Sequence, residues 1–360
     1  MLVLLIILKN FMTNKNFPHL MLKEIFSQPI LLKTALQKYS SIKLTESLKI
    51  KNIKYFLFLA CGTSYNASLY GTYIFEELLK IQSEVEYADQ FISRKAVINK
   101  NTVVVAISQS GETGDVLKAI LKAKKEKALI IGIANNKNSN LSKISDIFIN
   151  LKAGKEKALE ATKTYSLDLF SLLNLSLSLS KNKKTSILKE LKNIPQKQEK
   201  ILKQSKKIKN IAKKIKDKKN ISILGSKFEY ATALEAAQKF EETSYLLAKA
   251  YPGEEFRHGP KAIIEPGTLT IIIAPYDSLF KRNLKVIKEI KKAGGEMIII
   301  TDSKGYLSLK NFGENIIIPK TQELLFPFLS IIPLQLLSYY TSLAKKINVD
   351  SPRNLKKFIA

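Results

Sequence analysis

Two short segments of this chain have the composition of an anion site. Ala60-Cys61-Gly62-Thr63-Ser64 and Ser108-Gln109-Ser110-Gly111-Glu112-Thr113 each lie where an apolar run stops and an amphipathic one begins. Phe56-Leu57-Phe58-Leu59 leads into the first, and Val103-Val104-Val105-Ala106-Ile107 into the second. Continuous apolar runs of this length read as buried strands of a parallel sheet, and ligands bind at the carboxyl ends of such strands. A hydroxyl-rich, glycine-containing turn that opens a helix directs backbone N–H groups and the positive helix end at a ligand, and the glycine lets that ligand come close. The pair looks like a phosphate cradle. The competing reading is local, because serine and threonine at helix starts often serve only as caps.

Three further sets of residues could move protons or attack a carbonyl. Glu235, Lys239 and Glu242 stand at i, i+4 and i+7, so a helix places them on one face. A general base and a neighbouring cation could be built there, but a solvated face laced with ion pairs has the same spacing. His258 lies between Arg257 and Gly259-Pro260 in a loop, and histidine is the residue type suited to acid–base work near neutral pH. Lys357 closes a basic stretch with Arg353 and Lys356, whose positive charge would ease loss of its amine proton, though a basic terminus has the same composition. His19 is read as structurally idle.

The elements that must position these residues alternate. Strands are predicted at Tyr55–Ala60, Glu84–Tyr87, Thr102–Ile107, Leu129–Ala134 and Ile147–Leu151, with helices near Tyr65–Leu79, Thr113–Lys125 and Lys163–Leu179. Alternation of this kind builds βαβ units on a parallel sheet. A lysine-rich stretch from Lys181 to Lys219 follows, with Leu188, Leu191, Ile194 and Ile201 near helical spacing, and is read as a helical connector. The second half then repeats the plan: Ile221–Ser226 echoes the first strand and its turn, and a helix is expected from Phe228 to about Leu247. Leu269–Ala274, Glu296–Asp302 and Glu314–Pro319 continue the strand series. At the place of Ser108–Thr113 the second half has Pro275-Tyr276-Asp277-Ser278-Leu279-Phe280, so the fold repeats and the cradle does not. The expected organisation is a leader over 1–20, expected to be disordered, and a first subdomain over 21–180 with the cradle. A connector over 181–219, a second subdomain over 220–345 and a tail over 346–360 follow.

Composition narrows the function classes. An apolar fraction of 45% is that of an ordinary soluble globular protein. The net charge of +28 invites a nucleic-acid reading, yet the arginines are only Arg94, Arg257, Arg282 and Arg353. Base and phosphate readers favour arginine with interleaved aromatics, whereas the lysines here are spread over many helices, so no nucleic-acid partner is expected. The surplus charge would still draw in anionic substrates. Cys61 is the single cysteine, which excludes a disulfide framework and points to the reducing cytoplasm. Met1–Leu8 is apolar but far short of the roughly 20 residues that span a bilayer, so no membrane partner is expected.

Taken in order, the motifs identify a family. The chain resembles a pair of sugar isomerase (SIS) domains, most closely the isomerase half of the glutamine–fructose-6-phosphate transaminases. The resemblance runs from about Leu22 to Ala360. It is carried by Met21-Leu22-Lys23-Glu24-Ile25 with Gln28-Pro29, by Cys61–Ser64 and Ser108–Thr113, and by Ala161-Thr162-Lys163. Arg257-His258-Gly259-Pro260 and Val349-Asp350-Ser351-Pro352-Arg353-Asn354-Leu355-Lys356-Lys357 complete it. It implies an α/β fold of two SIS-type subdomains, each a mainly parallel, doubly wound, flavodoxin-like sheet flanked by helices. It also implies a homodimer with a shared active site and no metal or organic cofactor. The implied chemistry interconverts fructose 6-phosphate plus ammonia with glucosamine 6-phosphate.

By that resemblance Ser108, Gln109, Ser110 and Thr113 hold the sugar phosphate, with Thr63 and Ser64 assisting. Glu242 moves the proton between C1 and C2 beside Lys239, His258 of the neighbouring subunit opens the ring, and Lys357 forms the imine. Three departures bear on it. With Cys61 as the only cysteine no glutamine-hydrolysing nucleophile is expected, so ammonia would come from solution or from a separate glutaminase subunit. Ala161 stands where the synthases carry serine, which is the pattern of the stand-alone glucosamine-6-phosphate deaminases. Lys356 replaces a small residue in a short tail, so closure over the ligand is expected to differ. A non-catalytic sugar-phosphate sensor would lack Glu242, His258 or Lys357, and all three are present.

Overall fold

The computed structural model describes residues 17–39, 53–180 and 185–357. The leader expected over 1–20 falls mostly on residues 1–16, outside that range. The chain forms two compact units. The first takes its described residues from Leu31–Glu156, Lys163–Leu188 and Lys356–Ala360, the second from Met1–Ile30, Lys157–Thr162 and Lys189–Leu355. Each unit is thus assembled from separated stretches of sequence rather than from one half of the chain.

The first unit is built on strands β1 (Tyr55–Ala60), β2 (Gln82–Tyr87), β3 (Thr102–Ile107), β4 (Leu129–Ala134) and β5 (Ile147–Asn150), in the order β2-β1-β3-β4-β5. Every neighbouring pair is parallel. This is the flavodoxin-like order, with its switch point between β1 and β3. Every residue of β3 is buried, as the continuous apolar run requires. Helix α1 (Leu20–Tyr39) precedes the sheet, and α2 (Gly62–Leu79), α3 (Ala88–Ser93), α4 (Gly114–Lys125), α5 (Asn140–Ile144) and α6 (Lys163–Leu179) connect or cover its strands. Helix α4 shows how the sequence fixes each layer: Val116, Ala119, Ile120 and Ala123 form its buried stripe, and Lys122, Lys124 and Lys125 suit the negative end of its dipole.

The second unit repeats the arrangement with β6 (Asn220–Gly225), β7 (Leu247–Pro252), β8 (Leu269–Ile273), β9 (Glu296–Asp302) and β10 (Glu314–Ile318). Their order, β10-β9-β8-β6-β7, is the first sheet's order with β6 in the place of β1. Helices α7 (Thr185–Leu191), α8 (Ile194–Leu202) and α9 (Ser205–Ile215) occupy the described part of the expected connector. Of these, α8 and α9 lay buried isoleucines on α13 (Pro327–Ala344). Helices α10 (Phe228–Ser244), α11 (Phe280–Lys292) and α12 (Ser303–Leu309) link the strands. The apolar stretch that ends in α13 is long enough to cross a membrane, but 94% of it is buried inside the protein, as in a core helix.

Two readings from the sequence need correction here. The helix expected to reach Leu247 stops at Ser244, because Tyr245 adopts the left-handed conformation at φ 55°. Leu247–Pro252 then pairs with β6 as an edge strand. Its Leu-Ala-Lys-Ala core favours helix locally, and sheet pairing overrides that preference. His19 is not idle either: its Nδ1 lies 2.8 Å from the Tyr339 hydroxyl, and the adjacent Leu20 and Met21 amides donate to Asp350.

Candidate functional site

In the first unit, both hydroxyl-rich turns leave carboxyl ends of neighbouring strands, on either side of the switch point. The turn after β3 is tied together by its own side chains. Ser108 Oγ lies 2.7 Å from Thr113 Oγ1 and accepts the Gly111 amide at 3.0 Å, while Ser110 Oγ accepts the Glu112 amide at 3.1 Å. Gly111 has φ 73°, and a Cβ there would sit 2.2 Å from Ser139 Oγ, so the turn closes only with glycine at that position. Glu112 clamps the next loop, its carboxylate accepting the Asn140 amide at 2.9 Å and Asn140 Nδ2 at 2.7 Å. Thr113 stands at the N-cap of α4 yet makes no side-chain cap, and neither does Cys61 ahead of α2. The Ser108 and Thr113 hydroxyls thus pair across the turn at the helix mouth, and Thr113 is not spent as a cap. Gln109 and Ser110 are half-buried and Ser108 is buried.

Thr63 and Ser64 are buried in the first turn of α2. Ser64 Oγ donates to Asp168 Oδ2 at 3.2 Å. Asp168 is fully buried in α6, the single acidic residue in the run from Lys163 to Leu179.

Lys357 also belongs to the first unit. Its Nζ lies 3.6 Å from Glu156 Oε2, and Glu156 is buried and accepts the amide and hydroxyl of Thr164 at 3.3 and 2.8 Å. The sequence reading looked for positive charge beside this lysine, from Lys356 or Arg353. The guanidinium of Arg353 instead stacks 4.2 Å over the ring of Tyr245, and the group paired with Lys357 is a carboxylate. Deprotonation of Lys357 therefore needs a ligand or proton acceptor to displace that ion pair.

In the second unit the charged face of α10 is a buried cluster. Lys239 is fully buried, with its Nζ 2.5 Å from Glu242 Oε2 and 3.5 Å from Glu235 Oε1. Gln238 Nε2 donates to the other Glu242 oxygen at 2.7 Å. Burial alone would push the Lys239 ammonium down, but Glu235 and then Glu242 outweigh it and hold the group above the usual lysine range. The solvated-face alternative fails on this burial. Glu242 keeps part of its surface open and lines a cavity of about 440 Å³ with Glu241, Tyr245, Leu246, Arg353 and Asn354. One carboxylate, anchored by a permanent cation and facing a cavity, is what a positioned proton carrier requires.

His258 is exposed, at the end of a short helical turn. Its loop is pinned by Arg257, whose Nη2 lies 2.9 Å from Glu289 Oε1, and by Lys261 at 2.9 Å from the same carboxylate. Hydrogen bonds from these two cations hold the Glu289 carboxyl down at about 2. Glu156, Asp168, Gln238, Tyr245 and Glu289 were not legible as site partners from the sequence, since no motif spacing joins them to the residues they hold. Within the units, then, the structure gathers the cradle residues with Lys357 in one and Glu235, Lys239, Glu242 and His258 in the other.

Comparison with known proteins finds similarity along most of the chain. The SIS domain family model matches residues 49–178 and 214–345. A glutamine–fructose-6-phosphate aminotransferase (isomerizing) of Clostridium tetani is 38% identical over 360 residues, covering 95% of this chain and 59% of its own length. The chain thus spans about three-fifths of that relative. Among solved structures, the C-terminal domain of glucosamine-fructose-6-phosphate aminotransferase from Francisella tularensis superposes with a TM-score of 0.88 at 30% identity, over 93% of this chain and 99% of that one. A glucosamine-6-phosphate deaminase from Thermotoga maritima gives 0.75 at 26% identity, over 95% and 99%.

Proposed function

The chain belongs to the SIS domain family, and from that premise we propose that it interconverts fructose 6-phosphate plus ammonia with glucosamine 6-phosphate. The observation that carries this reading is the buried Lys239–Glu242 pair opening on a cavity, in a chain whose other unit holds paired hydroxyls at a sheet switch point.

Ser108, Gln109, Ser110 and Thr113 hold the 6-phosphate, with Thr63, Ser64 and the backbone of their turn assisting. His258 of a neighbouring subunit opens the sugar ring, a role its exposure on a fixed loop supports. Lys357 Nζ then adds to the C2 carbonyl and loses water to give an imine, and ammonia displaces the lysine to leave the C2 imine of the sugar. The Glu242 carboxylate takes a proton from C1 while the imine nitrogen gains one. As the C1 hydroxyl gives up its own proton to become the aldehyde, Glu242 returns its proton to C2. Lys239 keeps Glu242 in place through their ion pair. The working unit in this reading is a homodimer in the cytoplasm.

A deaminase working in the opposite direction uses the same site, because a catalyst lowers one barrier for both directions. Ala161 and the likeness to the Thermotoga maritima deaminase favour that reading; the Met21–Pro29 stretch and the 38% identity to the Clostridium tetani aminotransferase favour synthesis. The purified chain given glucosamine 6-phosphate is expected to release ammonia and fructose 6-phosphate, and to run the reverse with ammonium chloride. The ratio of the two rates at cellular ammonia levels assigns the direction. Absence of turnover both ways, with and without a glutaminase, would sink the proposal.

A further inference from the structure

Lys163, the last residue of the Ala161-Thr162-Lys163 motif, takes no part in the chemistry above, and its contacts lead to Lys357. Lys163 is buried, and its Nζ donates to the Lys155 carbonyl at 2.9 Å. Asn135, in the loop after β4, pins the residues just before: its Oδ1 accepts the Ala153 amide at 2.8 Å and its Nδ2 donates to the Gly154 carbonyl at 2.7 Å. Glu156 follows directly. Its Oε1 accepts the Thr164 amide at 3.3 Å and its Oε2 the Thr164 hydroxyl at 2.8 Å, in the first turn of α6. The carboxylate is thus fixed both by its backbone and by the helix it touches. From that position Oε2 lies 3.6 Å from Lys357 Nζ, with the Glu156 side chain fully buried and that of Lys357 partly open.

A buried carboxylate is costly unless it is paired. Holding the first turn of α6 needs only a neutral acceptor, so a negative charge kept there and turned towards an ammonium calls for a further reason. We propose that Glu156 is a positioning residue for Lys357: its fixed carboxylate holds Nζ at one place in the first unit, ready for the sugar. This rests on the reading that Lys357 forms the imine. A lysine side chain left free spreads its amine over many rotamers, and that freedom must be lost before Nζ can meet a carbonyl. The ion pair takes up that loss before the sugar arrives. Lys163 and Asn135 support the arrangement by fixing the segment that carries Glu156. Acting through the amine, Glu156 bears on the imine step and not on the hold of the phosphate.

Two readouts on the full chain test this. In the absence of sugar, acetic anhydride labels accessible lysine amines, and exposed Lys356 is the internal standard for half-buried Lys357. Labelling of Lys357 relative to Lys356 is expected to rise by about fivefold in Glu156→Gln, where the ion pair is gone. Glutamine keeps an oxygen for Thr164, so the denaturant midpoint is expected to stay close to that of the wild type. With fructose 6-phosphate and cyanoborohydride, the rate of adduct formation on Lys357 is expected to fall by about 10²-fold in Glu156→Gln at a nearly unchanged half-saturating sugar concentration, with partial recovery in Glu156→Asp. Thr164→Val loosens the carboxylate without removing it, and should move both readouts the same way by less. It decides the matter if Glu156→Gln does not fold. Labelling of Lys357 indifferent to these variants overturns the proposal. So does trapping that falls only together with the unfolding midpoint, since Glu156 is then a helix cap and nothing more. The expected change in labelling, with no adduct and no turnover in the wild type, would leave the Glu156–Lys357 pair standing and contradict the proposed function instead.

Discussion

The two units share one topology and differ in what they place at its mouth. In the first, β1 and β3 end in hydroxyls, and α2 begins with buried Thr63 and Ser64. In the second, β6 runs into Ser226-Lys227 and β8 into a loop that carries Asp277. Glu229, in the first turn of α10, is buried and donated to by Ser330 Oγ at 2.6 Å, and burial pushes its carboxyl up to about 8. Burial likewise moves Asp277, in the loop after β8, up to about 6. Hydroxyls and free backbone amides at a helix mouth attract an anion, and the second mouth has no counterpart of the Ser108–Thr113 turn. Two scaffolds of one topology thus carry different residues, hydroxyls at the mouth of one and the Glu235–Lys239–Glu242 cluster on the helix that follows β6 in the other. Gly225 shows how tightly that helix is set: a Cβ there would meet the Glu229 carbonyl oxygen at 2.0 Å.

The largest effect that would sharpen this division is on chemistry alone. Glu242→Gln is expected to lower kcat by about 10³-fold or more while fructose 6-phosphate binding by calorimetry is kept; binding lost along with turnover would make the residue structural. Next comes Lys239→Met, which leaves Glu235 and Glu242 facing each other without their cation. A loss of about 3–5 kcal/mol in denaturant unfolding is expected, and an unchanged midpoint would break the account of the α10 cluster.

The second mouth carries its own signature. The folded Glu229 carboxyl lies at about 8 against an ordinary 4.5, so its stabilising contribution is complete below the ordinary value and drains away as pH rises through the folded one. Relative to Glu229→Gln, the wild-type melting temperature should therefore fall steadily between about pH 4.5 and pH 8. Parallel melting curves across that window would contradict it. The smallest effect tests the cradle directly: Ser110→Ala should raise KM by about tenfold with kcat nearly kept. Ser278→Ala, in the counterpart loop where Ser278 reaches Glu323, should leave KM alone. Equal effects at the two serines would erase the distinction between the mouths.

Much of this was legible beforehand, and the reason is physical. Strands β1, β3, β4 and β9 are continuous apolar runs buried on both faces, and their ends match the expected ones to the residue. The face shared by Glu235, Lys239 and Glu242 follows from helical spacing alone. What escaped reading depends on contacts between distant positions. Edge strand β7 is made of helix formers and exists only through its pairing with β6. The bond from Ser64 to Asp168 and the ion pair from Lys357 to Glu156 join residues far apart in sequence, so no local pattern announces them.

The division of labour can be tested in one experiment, an NMR titration of fructose 6-phosphate in heavy water with ammonium present. The phosphorus shift reports binding, and loss of the C1 proton signal reports proton transfer. With Glu242→Gln the phosphorus resonance should still move while the C1 signal persists. With Ser108→Ala and Ser110→Ala combined, the phosphorus should move only at much higher ligand, and the C1 signal should then decay. Binding and exchange falling together in both variants would contradict a molecule in which one unit holds the phosphate and the other moves the proton.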